Sequence, residues 1–188
     1  MQMKKGLHQL DASHTFLSIG MGSIGLFPIL LAIIPTLVAK TLHETRTTLL
    51  VQVPKEAYFL YGIGLVLLTI TSFLLYFLKI NKKAKMISAA IGLLVLLCFV
   101  DASQRYVRVA TDSVAFKSSM LSKEYVYTWE EVEKVVFREL PKEGGFAKFD
   151  FHFNDGNIMI LANDNYMMRY RKLLEKKFSD DGIEYKRG

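Results

Sequence analysis

The sequence predicts a two-part molecule: three membrane-spanning helices, then an α+β domain in which a small antiparallel sheet is closed by a C-terminal amphipathic helix. Three observations carry this prediction. Residues 16–39, 57–78 and 86–100 are apolar runs without an Asp, Glu, Lys, Arg or His. Beyond Val100 the hydrophobic period changes to two, over 106–109, 114–116 and 124–129. After Asn163 and Asp164 it changes again, to 3.6.

A bilayer core of about 30 Å needs roughly twenty apolar residues of helix, so the first two runs cross it with some tilt to spare. The run at 16–39 is far longer than a signal-peptide core of about 7 to 15 residues, and no small-residue cleavage site closes it, so it reads as a retained first span. The third run gives only about 22 Å of helix at 1.5 Å per residue and must borrow Ala102 and Ser103 or thin the bilayer to cross. The expected organisation is a tail over 1–14, spans over 15–39, 57–78 and 86–103, a connection over 40–56, a basic turn over 79–85 and a soluble domain over 104–188. Within the connection, Leu49, Leu50, Val51 and Val53 are expected to hug the membrane interface. Tyr58, Phe59 and Tyr61 open the second span and Tyr76 and Phe77 close it, as in an interfacial aromatic belt.

Pro28 and Pro35 lie on one face of the first span and predict a bend, its freed carbonyls re-satisfied by neighbouring helices. Gly20, Gly22 and Gly25, with Ser18 four residues before Gly22, form a strip where another helix can approach closely; Ser88 and Gly92 repeat that spacing in the third span. Two uses of the strips are open: packing among the chain's own spans, or contact with a partner helix or a second copy. Intramembrane ionisable groups usually build proton relays and ion paths, and their absence makes these spans an anchor or packing surface.

The 188 residues hold 24 basic and 18 acidic side chains, a net charge of +6. The tightest basic cluster, Lys79, Lys82, Lys83 and Lys85, lies between two spans, where it acts as a topology signal beside phosphate headgroups rather than as a nucleic-acid surface. That turn and Lys4 and Lys5 are expected on the cytoplasmic side of the cell membrane, and three spans then put the C-terminal domain outside; a half-buried third run would return it to the cytoplasm.

In the soluble half, Phe149, Phe151 and Phe153 project from one face of a strand while Asp150 and His152 project from the other, toward water. Asp155 and Gly156 turn the chain into a hairpin with 157–161. Tyr166, Met167, Tyr170, Leu173, Leu174 and Phe178 form one helical stripe, ended by Gly182 and expected to cover the sheet. Trp129 supplies a large apolar anchor at a strand end, and Glu130, Glu131 and Glu133 mark a polar turn.

The stretches Asp112-Ser-Val-Ala-Phe116, Tyr127-Thr-Trp-Glu-Glu-Val-Glu-Lys-Val135 and Phe153-Asn-Asp-Gly-Asn-Ile158, with the last helix, make the region 105–185 resemble the bacterial pleckstrin-homology-like domains that follow membrane spans in small Gram-positive, Bacillus-type proteins. Those relatives most often have one or two spans and a cytosolic domain. The resemblance implies no catalytic residue set, and some membrane-anchored relatives act in immunity to bacteriocins.

No enzyme chemistry is written in the chain. His8, His14, His43 and His152 lack an i, i+4 partner or a nearby Cys, and Cys98 is alone, so neither a metal site nor any other cofactor is expected. Gly144 and Gly145 lack the Lys and Ser or Thr of a phosphate loop. Contacts to a headgroup or partner would fall to Lys117, Lys123, Lys142 and Lys148. The expected function is a non-enzymatic, multi-pass protein displaying its domain at the bilayer to bind a peptide, protein or lipid, with toxin or bacteriocin immunity as a specific form. An assembly subunit, a homo-oligomer included, is the rival, and a transporter or channel component using Thr69, Thr71 and Ser72 is a third class.

Overall fold

The computed structural model describes residues 2–139 and 147–188, with side chains from Ser13 onward. It divides into two compact units, one of residues 1–37 and 55–103, the other of residues 38–54 and 104–188. The second unit therefore takes its residues from both sides of the second and third helices.

The first unit is helical. α1 runs Gln2–His43, α2 Lys55–Phe77 and α3 Lys82–Ser103, and each contains a stretch long and apolar enough to cross a membrane. α1 continues unbroken through Pro28 and Pro35, and it is already helical where a separate tail was expected. α3 reaches 22 residues by extending the apolar run at both ends, through Lys82 to Lys85 and through Asp101 to Ser103. Ile24, Ile33, Phe59, Ile70, Leu93 and Leu96 are exposed on these helices, the inside-out distribution that suits a lipid solvent.

Between α2 and α3 the chain reverses through Lys79 and Ile80, both at positive φ (51° and 53°), and Asn81 Oδ1 accepts from the Ala84 amide at 2.7 Å to cap α3. The helices of this hairpin meet closely at Gly64, where a Cβ would overlap the Phe99 ring, itself 5.6 Å from the Tyr61 ring. Gly64→Leu is expected to lower the thermal stability of the detergent-solubilised protein by about 1–3 kcal/mol, through overpacking against that ring. Gly92→Leu, with nothing within 4 Å of its Cβ, is expected to leave it unchanged.

The second unit is built on two four-stranded sheets. In the first, of order β1-β2-β3-β4, β1 (Thr48–Gln52), β2 (Tyr106–Ala110), β3 (Ser113–Lys117) and β4 (Tyr125–Thr128) are antiparallel throughout. In the second, of order β7-β6-β5-β8, β5 (Val132–Arg138), β6 (Lys148–Phe153) and β7 (Ile158–Ala162) are antiparallel, whereas β8 (Glu184–Arg187) runs parallel to β5. α4 (Met167–Asp180) lies between β7 and β8 in the chain.

β1 corrects the expectation that the connection 40–56 hugs the interface. Leu49 to Val53 alternates like a strand, and Leu50, 1% exposed, enters the same core as Val109, Val114, Phe151 and Phe178. Val51 points to the other face of that sheet and packs with Ala39, Tyr106 and Ala115. A strand supplied by the segment between α1 and α2 is thus an integral part of a sheet whose other strands begin fifty residues later.

Phe149, Phe151 and Phe153 are buried as the alternation predicts, and each such side chain contributes on the order of 1.5–3 kcal/mol by leaving water. Asp150 departs from the expectation: it is buried, and the Arg138 guanidinium on the neighbouring strand pairs with its carboxylate. A strand position facing away from the main core need not be wet, and the counter-charge of the exposed Arg138 side chain makes the burial tolerable. On α4, Met167, Leu174 and Phe178 are buried, but Leu173 is 49% exposed, so the buried stripe is narrower than the apolar one. Asp164 Oδ1 accepts from the amides of Tyr166 and Met167 at 3.0 and 2.7 Å as α4 begins. At the other end Gly182, at φ 69°, lets the Ile183 amide reach Phe178 O at 2.8 Å.

Candidate functional site

The feature of the second unit best suited to binding is the outer edge of β7. Its parity follows from the hydrogen bonds at the two ends of the β6–β7 ladder. The Phe153 amide donates to Asn157 O at 3.0 Å and the Asn163 amide donates to Ala147 O at 2.7 Å. Odd-numbered residues of β7 therefore turn their backbone groups to β6, and Ile158, Ile160 and Ala162 turn theirs to the outer edge.

Gln52, the last residue of β1, confirms that parity. Its carboxamide accepts from the Ala162 amide at 2.7 Å and donates to Ala162 O at 2.8 Å, and it also donates to Asp164 Oδ2 at 3.0 Å. One side-chain amide thereby does at Ala162 what the backbone of an added strand would do. Among the described residues no such partner serves Ile158 or Ile160, whose side chains are 47% and 51% exposed. The edge is closed at Ala162 and opens toward Ile158.

The open end is held in shape by the hairpin turn. Gly156 takes φ 84°, and Asp155 Oδ1 accepts from the Asn157 amide at 3.0 Å. The Tyr127 hydroxyl donates to Asp155 Oδ2 at 2.7 Å, and Asn157 Nδ2 donates to both oxygens, each at 2.7 Å. Tyr127 also stacks on Phe153, with centroids 3.8 Å apart. Burial, with the Asp155 hydrogen bond added, pushes the Tyr127 phenol up to about 12, while the Tyr127 hydroxyl and the Asn157 amide hold the Asp155 carboxyl below its ordinary range.

A carboxyl depressed in the folded state stabilises fully above its unfolded value of about 3.9, and that contribution is lost as pH falls through the lower folded value. Asp155→Asn is therefore expected to lower the denaturation midpoint near neutrality and to flatten the acid limb below about pH 4, so that the variant and the parent converge at the acid end. An unchanged acid limb would show that the turn is held otherwise.

The edges at β8 and β4 are less suited. β8 carries the exposed ions Glu184, Lys186 and Arg187, which blunt an edge. β4 is short and passes directly into a 3-10 turn at Trp129–Glu131, where Glu131 Oε2 accepts from the Thr128 amide and hydroxyl. Trp129 is buried as an anchor and donates from Nε1 to Ala110 O at 3.2 Å.

Of the residues singled out in the sequence, Lys117 ends β3 and donates to Gln104 Oε1 at 3.0 Å. Lys123 lies in the turn that follows, 5.9 Å from the Tyr125 ring centroid. Lys148 opens β6 in the other sheet, opposite Ala162, and Lys142 lies outside the described residues. In the first unit Ser88 is buried with its hydroxyl unpartnered, Ser18 donates to His14 O at 3.1 Å, and Gly22 and Gly92 face open space. Gly92 lines an apolar groove of about 320 Å³ with Phe16, Ile19, Leu68, Ser72 and Val95.

A more polar cleft of about 510 Å³ lies in the second unit between Asp112, Trp129, Glu130, Lys177 and Asp181. Its one lysine is engaged internally: Lys177 pairs with Asp181 at 3.0 Å and sits 4.9 Å over the Trp129 ring. Among the described residues no three His, Cys, Asp or Glu side chains are placed to hold a metal ion. Comparison with protein-family models and with curated proteins finds no match.

Proposed function

We propose that this is a non-enzymatic, multi-pass membrane protein whose second unit, a pleckstrin-homology-like domain closed by α4, captures an extended peptide segment by strand addition along β7. The observation that carries the reading is the outward parity of Ile158 and Ile160 beside a Gln52 carboxamide that already imitates a strand at Ala162. Strand addition takes its affinity from main-chain hydrogen bonds and its selectivity from alternate side chains, so the preferred segment is apolar at every second residue. Protection against a membrane-active peptide is one use of such an edge.

The membrane assignment rests on the three apolar helices and their exposed aliphatic side chains. Pairing of β1 with β2 requires the connection 44–54 and the C-terminal domain to lie on one side of the bilayer, and the α2–α3 hairpin supplies the two crossings between them. With Lys79, Lys82, Lys83 and Lys85 at the tip of that hairpin, the domain is outside the cell.

The test is a selection of displayed random peptides against the full chain in nanodiscs, followed by hydrogen exchange. Selected peptides should slow exchange at Ile158 and Ile160, while Met159 and Leu161, already paired with β6, change little. Peptides that bind without protecting these two amides would overturn the reading.

A second reading, a subunit that packs against a partner helix, is favoured by the open space at Gly22, Gly25 and Gly92. Purification in mild detergent would then return a stoichiometric integral partner, or a dimer of this chain; a lone monomer would count against it.

A further inference from the structure

We propose that the β3–β4 turn is a membrane-insertion element, Leu121 and Met120 entering the acyl boundary of the bilayer while Lys117 and Lys123 engage lipid phosphates. Leu121 is 90% exposed and Met120 37% exposed, on the only described turn of the second unit that presents two adjacent large aliphatic side chains. A single exposed leucine is ordinary on a protein surface. Here the backbone that displays it is clamped. Ser122 Oγ accepts from the Ser118 and Ser119 amides at 3.2 and 2.8 Å and donates to Ser119 O at 2.9 Å, and the Ser122 amide donates to Ser119 Oγ at 3.0 Å.

Register supplies the second argument. Lys117 lies opposite Tyr106, and Gln52 lies opposite Val107. The turn after Lys117 is therefore at the end of the sheet where the chain leaves β1 for α2 and enters β2 from α3. Lys117 bonds Gln104, the first residue after α3. The same rim continues through the Gln52–Ala162 bonds to Lys148, which is opposite Ala162. Two of the three connections between this domain and the helices, Val53–Pro54 and Gln104–Arg105, leave from this end, while the third, residues 44–47, enters β1 beside Thr111 at the other end. An apolar tip flanked by lysines complements an anionic bilayer: acyl boundary for the tip, phosphate for the ammonium groups. This inference is independent of what binds β7.

The test uses the full chain in nanodiscs of phosphatidylcholine with phosphatidylglycerol. In a Cys98→Ser background, a nitroxide is placed at Leu121→Cys and, as control, at Asp112→Cys in the turn at the opposite end of the sheet. The ratio of oxygen to water-soluble nickel collision rates should be several-fold higher at 121 than at 112. Equal ratios would overturn the proposal. Adding Lys117→Glu with Lys123→Glu should bring the ratio at 121 down to that at 112, with the thermal midpoint retained; an unchanged ratio in that correctly folded variant would overturn the role given to the lysines.

Discussion

Leu50→Ala is expected to destabilise the second unit by about 2–5 kcal/mol, the cost of removing a fully buried leucine from a core that relaxes only in part. Leu50 lies between two spans in the sequence, yet it is buried with Val109, Val114, Phe151 and Phe178. The effect should be read in the C-terminal half, as earlier proteolysis or a lower unfolding midpoint of residues 104–188. Leu49→Ala, one residue earlier and only half-buried, should cost much less. A connection that merely followed the membrane surface would show no such contrast, and equal effects at the two positions would refute the assignment of β1.

Leu161→Pro and Ile160→Pro should differ more sharply still. The Leu161 backbone pairs with Phe149 on β6 and its side chain is fully buried, so proline there removes a ladder hydrogen bond and distorts the core. Ile160 turns its amide to the outer edge, where proline is tolerated in edge strands. Ile160→Pro should therefore keep the fold and lose most binding of any peptide that adds beside β7, whereas Leu161→Pro should unfold the domain. Circular dichroism separates the two before binding is measured. Retained binding in a folded Ile160→Pro variant would show that the ligand does not use this edge.

These contrasts also mark what the sequence makes legible. The first two apolar runs announce membrane helices because each exceeds twenty residues without a charge, the shorter third needs its flanking residues to join them, and the Phe149-x-Phe151-x-Phe153 alternation announces a half-buried strand because its period is two. β1 was hidden because Leu49 to Val53, set between two spans, carries the composition of an interfacial segment, and only its partner β2, fifty residues away, makes it a strand. β8 was hidden because Glu184, Lys186 and Arg187 read as a charged tail, yet parallel pairing with β5 needs only backbone groups. Asp150 looks wet from its place in the alternation because its counter-ion, Arg138, lies on a different strand.

The candidate site was the least legible part. Ile158 and Ile160 look like any exposed positions on an alternating strand. That their amides face an open edge depends on the Phe153–Asn157 and Asn163–Ala147 bonds and on a glutamine more than a hundred residues earlier. Of the lysines chosen from the sequence, Lys117 and Lys148 belong to different sheets, and register rather than spacing places the two along one rim.

With a helical hairpin inserted between two paired strands, the proposed topology puts the first connection and the C-terminal domain on one side of the membrane. Sidedness of chemical labelling tests this directly. Single cysteines at Arg46→Cys, Lys83→Cys and Lys172→Cys, each in the Cys98→Ser background, are treated with a membrane-impermeant maleimide on intact cells and again after permeabilisation. The architecture predicts that positions 46 and 172 label together on intact cells and that 83 labels only after permeabilisation. Labelling of 46 and 172 from opposite sides would contradict it.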